Sequence, residues 1–215
     1  MPSDDATHTR GPSKRQAILD GALGEFARDG YSRANMERIA KRSAVSTRTL
    51  YKYFPSKMDL FREVLGMSAS RVADDHVALM EEHLPAGADP GALAPFARAW
   101  VGTGGQSDHW PLHSALFRHI GADVGNLPED VVTIWLDSGP RRVQAALSDR
   151  LAAWVRTGEL EIADVPLAAA QFSQLVMPGG SRGADPDPVE DVDAWVDAAV
   201  ALFIRGYRPG ATVTA

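Results

Sequence analysis

Apolar residues recur in doublets near the start of the chain, Ile18/Leu19, Ala22/Leu23 and Phe26/Ala27. A step of four residues lines one side of an α-helix. A half-buried strand needs period two instead, and no segment alternates that way between hairpin turns, so the expected class is all-α. The punctuation predicts about nine helices. The first runs from Ser13 to about Asp29, where Gly30 stops it. A short second one covers about Asn35–Arg42 with Met36, Ile39 and Ala40 inward. After a Ser43-Ala44-Val45 turn, Ser46 caps a third helix through about Phe54. Pro55 breaks the pattern, and Ser56 with Asp59 forms a capping-box-like start to a long fourth helix ending near Leu84. Further helices are expected at about 90–102, 109–120, 128–157, 165–177 and 189–206, with a break at Gly102–Gly105 and a kink at Gly139-Pro140. These elements divide into a three-helix N-terminal domain over 13–57 and a larger helical domain over 58–208. Residues 1–12 and 209–215 read as tails, the former disordered, and Pro178–Pro188 reads as a flexible linker.

Charge is distributed unevenly along these elements. The whole chain carries -6, yet Arg10–Lys57 holds eleven basic and four acidic residues, a net of +7, leaving -13 on the rest. A basic head on an acidic body suits a protein of which one end approaches a polyanion. With no cysteine there is neither a disulfide framework nor a thiolate metal site. No apolar run is long enough to span a bilayer, and the first residues lack the apolar stretch of an export signal, so the expectation is a cytoplasmic protein without a membrane partner. Gly102–Gly105 lacks the lysine spacing of a phosphate loop, and no nucleophile-elbow signature occurs, so neither an enzyme nor a cofactor is expected. His109 and His113 stand four apart, but no carboxylate is bound to converge on them, and no metal site is expected.

If Leu50 and Phe54 face inward, Thr47, Arg48, Tyr51 and Lys52 lie on the opposite face of the third helix. Arg48 can donate two hydrogen bonds to a guanine edge, Thr47 can reach a base edge or a thymine methyl, and Lys52 and Lys57 suit phosphate oxygens. The run Gly30-Tyr31, Met36–Ala40, Ala44-Val45-Ser46, Thr49–Lys57 and Leu60-Phe61 resembles the helix-turn-helix domain of the TetR family of transcriptional regulators. That resemblance implies that Thr47 through Phe54 enters the major groove. By position it also implies base reading by Thr47 and Arg48 and backbone contacts by Thr49, Tyr51, Tyr53 and Lys57, with Asn35 a further phosphate candidate. Two positions depart from the pattern: Ala44 stands where the turn usually has glycine, and Ala34 where the second helix usually opens with threonine or serine.

The last two helices are apolar around much of their circumference, which calls for partners on more than one side. The stretch from Ser138 to Pro178 resembles a C-terminal domain of part of the TetR family, whose last two helices build a four-helix homodimer interface. For this chain that implies an interface of Phe172, Leu175, Val192, Trp195, Val196, Ala199, Val200 and Phe203. Two recognition helices about 34–36 Å apart would then read a pseudo-palindromic operator in double-stranded DNA. Between head and interface lie His76, Met80, Phe96, Trp100, Trp110, His113, Phe117 and Trp135. The family pattern implies that they line a pocket for a small apolar effector, which would release a repressor from its operator. Two other readings remain at this stage: a DNA-binding protein that needs no ligand, and a small-molecule enzyme on a helical scaffold.

Overall fold

The computed structural model describes residues 13–106, 108–123, 127–177 and 191–210. Among them the regular structure is helical: α1 (Lys14–Arg33), α2 (Met36–Arg42), α3 (Thr47–Tyr53), α4 (Lys57–His83), α5 (Leu93–Gln106), α6 (Trp110–Asp123), α7 (Glu129–Ser138), α8 (Pro140–Thr157), α9 (Val165–Val176) and α10 (Val192–Gly206). A 3-10 turn, Pro90–Ala92, leads into α5. The N-terminal tail, the Pro178–Pro188 linker and residues 211–215 lie outside the described residues.

Several boundaries differ from expectation for physical reasons. Gly30 takes φ 72° and kinks α1, which then continues to Arg33. Helix α5 runs through Gly102–Gly105 to Gln106. Each glycine there costs a helix about 1 kcal/mol, and the buried Leu93, Phe96, Ala97 and Trp100 anchor the helix that carries them. The single helix expected over 128–157 is two, parted at Gly139 (φ -126°, ψ -86°). There the chain presses on α4: a Cβ on Gly139 would stand 3.1 Å from both the Ala69 carbonyl oxygen and its Cβ.

Two apolar cores are strung along α4, which at 27 residues is about 40 Å long. The first joins Ile18, Phe26, Ile39 and Leu50 of α1–α3 to Leu60, Phe61, Val64 and Leu65 of α4, Leu116 and Ile120 of α6, and Val131 of α7. The core of the head therefore does not stop at Lys57, where the sequence suggested a boundary. The second joins Ala73 and Met80 of α4 and the capping Leu84 to α5, α8, α9 and α10 through residues such as Phe96, Leu147, Phe172 and Phe203. Between Leu65 and Ala73 the α4 face changes character, and Ser68 and, one turn past Val72, His76 are buried polar residues.

Candidate nucleic-acid interface and ligand chamber

The head is built by caps. Asn35 closes the start of α2 by accepting the N–H groups of Glu37 and Arg38 at 2.7 and 3.3 Å. Ser46 accepts the Thr49 N–H at 3.1 Å, and Ser56 accepts that of Asp59 at 3.1 Å. Between α2 and α3, Val45 N–H bonds to Ala40 O and Ala44 N–H to Lys41 O, the paired closure of a helix whose next residue is left-handed. That residue is Ala44, at φ 52°, the position where glycine is usual.

Leu50 is fully buried and Phe54 2% exposed, so α3 is anchored on the side the spacing indicated. Arg48 and Lys52 are exposed, and neither enters an ion pair among the described residues. Tyr51 and Tyr53 are 47% and 42% exposed, a large display for aromatic rings unless something covers them. Thr47 is half-buried beside them, and the half-buried Thr49 hydroxyl lies 2.9 Å from that of Ser46.

Two expected DNA contacts are partly occupied within the protein. The Lys57 ammonium donates to the carbonyls of Ser32 and Ala34, each at 3.2 Å, and sits 4.7 Å over the Tyr31 ring. It clamps the α1–α2 corner and keeps one of three protons for another acceptor. The carbonyl end of Asn35 is taken by its cap, leaving the amide NH2 to reach outward. Sequence reasoning also missed Glu25. Its side chain is completely buried and accepts from Arg38 Nε at 2.6 Å and Arg28 Nη2 at 2.8 Å, with Arg42 Nε at 3.8 Å. Arg28 also bonds to Asp29, holding that carboxylate down at about 2. Part of the +7 is thus spent inside the head, while Arg48 and Lys52 of α3, like Lys14 and Lys41, stay exposed and outside these ion pairs. Glu25 lies one residue before Phe26 on the inward side of α1, which is the available clue.

A cavity of about 330 Å³ occupies the gap between the two cores. Six of the eight residues proposed for a pocket line it: His76, Trp100, Trp110, His113, Phe117 and Trp135. Met80 and Phe96 do not. Both are fully buried in the second core, where α4 packs on α5 and Phe96 stacks on Phe172 of α9. The opposite wall, unseen in the sequence, comes from Gly139, Val143, Gln144, Ser173 and Gln174 on the α7–α8 junction, α8 and α9. Burial pushes the imidazoles of both His76 and His113 from 6.5 down to about 4, against a smaller upward pull of Asp75 on His76, so both are neutral at pH 7. Ser68 Oγ lies 3.1 Å from His113 Nδ1, while exposed His109 turns away to Asp75 at 3.2 Å.

The expected interface residues divide by face. Phe172 and Val196 are fully buried, and Ala199, Val200 and Phe203 nearly so, inside the protomer's own second core. They are unavailable to another subunit, since the inward stripe of α10 packs on α5 and α9. The outward stripe carries Val192 (38% exposed), Trp195 (42%) and Leu202 (61%), next to Leu167 (52%) and half-buried Leu175 on α9. The Trp195 indole N–H donates to the Leu175 carbonyl at 2.9 Å, fixing the ring across the two helices.

Residues 18–64 match the model of the bacterial regulatory proteins of the tetR family, and residues 109–209 that of the C-terminal domain of AefR-like transcriptional repressors. The HTH-type transcriptional repressor KstR of Mycolicibacterium smegmatis is 39% identical over 59 residues, 27% of this chain and 29% of that protein. The chain thus spans about a third or less of the length of the curated relatives it matches. Among solved structures, a TetR-family transcriptional regulator from Mesorhizobium loti superposes with a TM-score of 0.78 at 25% identity, over 91% of this chain and 96% of that one. The flavonoid-responsive regulator FrrA does so with a TM-score of 0.66 at 27% identity, over 92% and 98%. The capped head, the cationic outward face of α3 and the two matched models, one for each end of the molecule, make this chain a member of the TetR family of transcriptional regulators.

Proposed function

We propose that the protein is a sequence-specific DNA-binding repressor that acts as a homodimer and leaves its operator when a small, largely apolar molecule fills the chamber. The observation that carries this reading is the outward display of Arg48, Tyr51 and Lys52 on a helix held from behind by Leu50 and Phe54. Arg48 and Thr47 read bases. Tyr51, Tyr53 and Lys52 hold phosphates, and Thr49, Lys57 and Asn35 add what their internal bonds leave free.

Release follows from how the chamber meets the head. Helix α6 turns Trp110, His113 and Phe117 toward the chamber and buries Leu116 and Ile120 in the head's core. Its His119 also packs on the kink of α1, where a Cβ on Gly30 would stand 3.2 Å from Nδ1. A ligand that displaces α6 or α4 therefore tilts α1 and, in a dimer, alters the separation of the two α3 helices. Lowering operator affinity a hundredfold takes about 2.7 kcal/mol of differential binding, within the usual range of coupling between sites.

Selection of bound duplexes from random DNA tests the reading. The wild type should enrich a two-fold symmetric site with salt-sensitive affinity, and Arg48→Ala should lose roughly 5- to 150-fold on that site, the range for one bidentate base contact. Unchanged binding by both Arg48→Ala and Tyr51→Ala would remove α3 as the reading element.

A further inference from the structure

The chamber's chemistry narrows what can fill it. Among the described residues, no Lys, Arg, Asp or Glu lines it, so a carboxylate or phosphate brought against these walls would leave water without meeting a cation from them. The two titratable groups among the described lining residues are imidazoles kept uncharged by burial. Its walls are unusually rich in rings. Phe117 stacks on Trp135 with centroids 4.9 Å apart, His76 stands edge-on to Trp100 at 5.6 Å, and Trp110 lies 5.9 Å from His113. Ring faces and edges set at these angles favour an aromatic guest over an aliphatic chain of equal area, because offset and edge-to-face contacts add to plain burial.

One polar feature points to an oxygen on that guest. Ser68 engages Nδ1 of His113, which leaves Nε2 as the remaining ring nitrogen of a chamber-lining residue. In one tautomer Nε2 donates and in the other it accepts, and a hydroxyl satisfies either. The volume, about 330 Å³, stands at the small end of the range of roughly 300–1,000 Å³ that holds small-molecule ligands.

We infer that the chamber binds an uncharged, planar aromatic molecule bearing a hydroxyl group, its rings against Trp100, Trp110 and Phe117 and its oxygen hydrogen-bonded to His113. This rests on the reading of the chamber as the effector site and specifies its ligand. Long acyl anions and acyl thioesters with phosphorylated head groups are the wrong chemistry for this lining.

Calorimetric titration of the full-length protein at pH 7.5 with naphthalene, 2-naphthol, 2-naphthoate and decanoate tests it. The expected order places 2-naphthol about tenfold above naphthalene, the scale of one hydrogen bond to a buried polar group, and both above the two anions. His113→Leu should erase the advantage of 2-naphthol while naphthalene still binds, and His113→Gln should restore part of it. The ranking on wild-type protein stands without either variant, should one fail to fold. Equal or tighter binding of either anion, naphthol no better than naphthalene, or no saturable binding of any probe overturns the inference. The same samples mixed with the selected operator separate this from the reading beneath it. Release of DNA by an anion would keep the sensor and reject this ligand class. Tight 2-naphthol binding that leaves DNA affinity unchanged would keep the ligand class and reject the sensor.

Discussion

Acidification should weaken this fold ahead of general acid unfolding, through two side chains. His76 and His113 are 8% exposed and titrate near 4 in the folded protein, whereas an unfolded histidine titrates at about 6.5. Between those values the unfolded chain binds a proton that the folded one refuses, so stability falls as pH falls. Above pH 6.5 both states are neutral and nothing is lost. Each group then gives up about 1.4 kcal/mol per pH unit, so from pH 7.5 to 5.5 the pair loses about 3 kcal/mol. For a protein of this length that lowers Tm by roughly 5–12 °C. Thermal unfolding followed by circular dichroism at the two pH values gives the drop directly. A His76→Gln, His113→Gln double variant should lose most of it, because the other histidines remain in both proteins and ordinary carboxylates stay ionised across this window. An equal drop in the variant would refute the reasoning. So would an NMR titration placing both imidazoles above pH 6 in the folded state.

Ala44→Gly should raise stability. Relief of a left-handed non-glycine residue is worth about 1–2 kcal/mol and the added freedom of the unfolded chain subtracts about 0.4–1, so a gain of about 0.5–1 kcal/mol and a Tm higher by roughly 1–4 °C are expected in a thermal melt. Leu202→Glu, on the outward stripe of α10, should turn a dimer into a monomer by light scattering with helical content unchanged, while Phe203→Ala, one residue on and 2% exposed, should cost about 3–5 kcal/mol of fold stability in a denaturant titration. A Leu202→Glu protein that stays dimeric would move the interface elsewhere. Gly139→Val should destabilise by roughly 1–3 kcal/mol, since its Cβ would crowd the Ala69 carbonyl at 3.1 Å, and a melt indistinguishable from wild type would show that the α7–α8 junction can yield.

The helix-turn-helix was legible from the sequence because its determinants are local. The caps at Ser46 and Ser56 act within three residues of themselves, and Leu50 and Phe54 share a helical face by spacing alone. The basic composition of the head was legible too, but not which cations stay free. Arg38 and Arg42 reach Glu25 only after α2 has folded across α1. The body was legible as helices, but not which face of each meets the core and which a partner. Helix α10 is apolar around much of its circumference, so its period sets Val196, Ala199, Val200 and Phe203 apart from Trp195 and Leu202 without saying which face meets the chain's own core, and packing against α5 and α9 decided that Phe203 turns in and Leu202 out. The chamber is more remote still from sequence. It is the space left where two cores fail to meet along α4, bounded by residues as far apart as Ala69 and Met177, and such a void belongs to the arrangement of helices rather than to any one of them. That is why Trp100 and Phe96, four residues apart on α5, end as chamber wall and solid core. Caps, turns and spacing act through neighbours in the chain, whereas inward faces and cavities depend on contacts between segments that only the tertiary structure brings together.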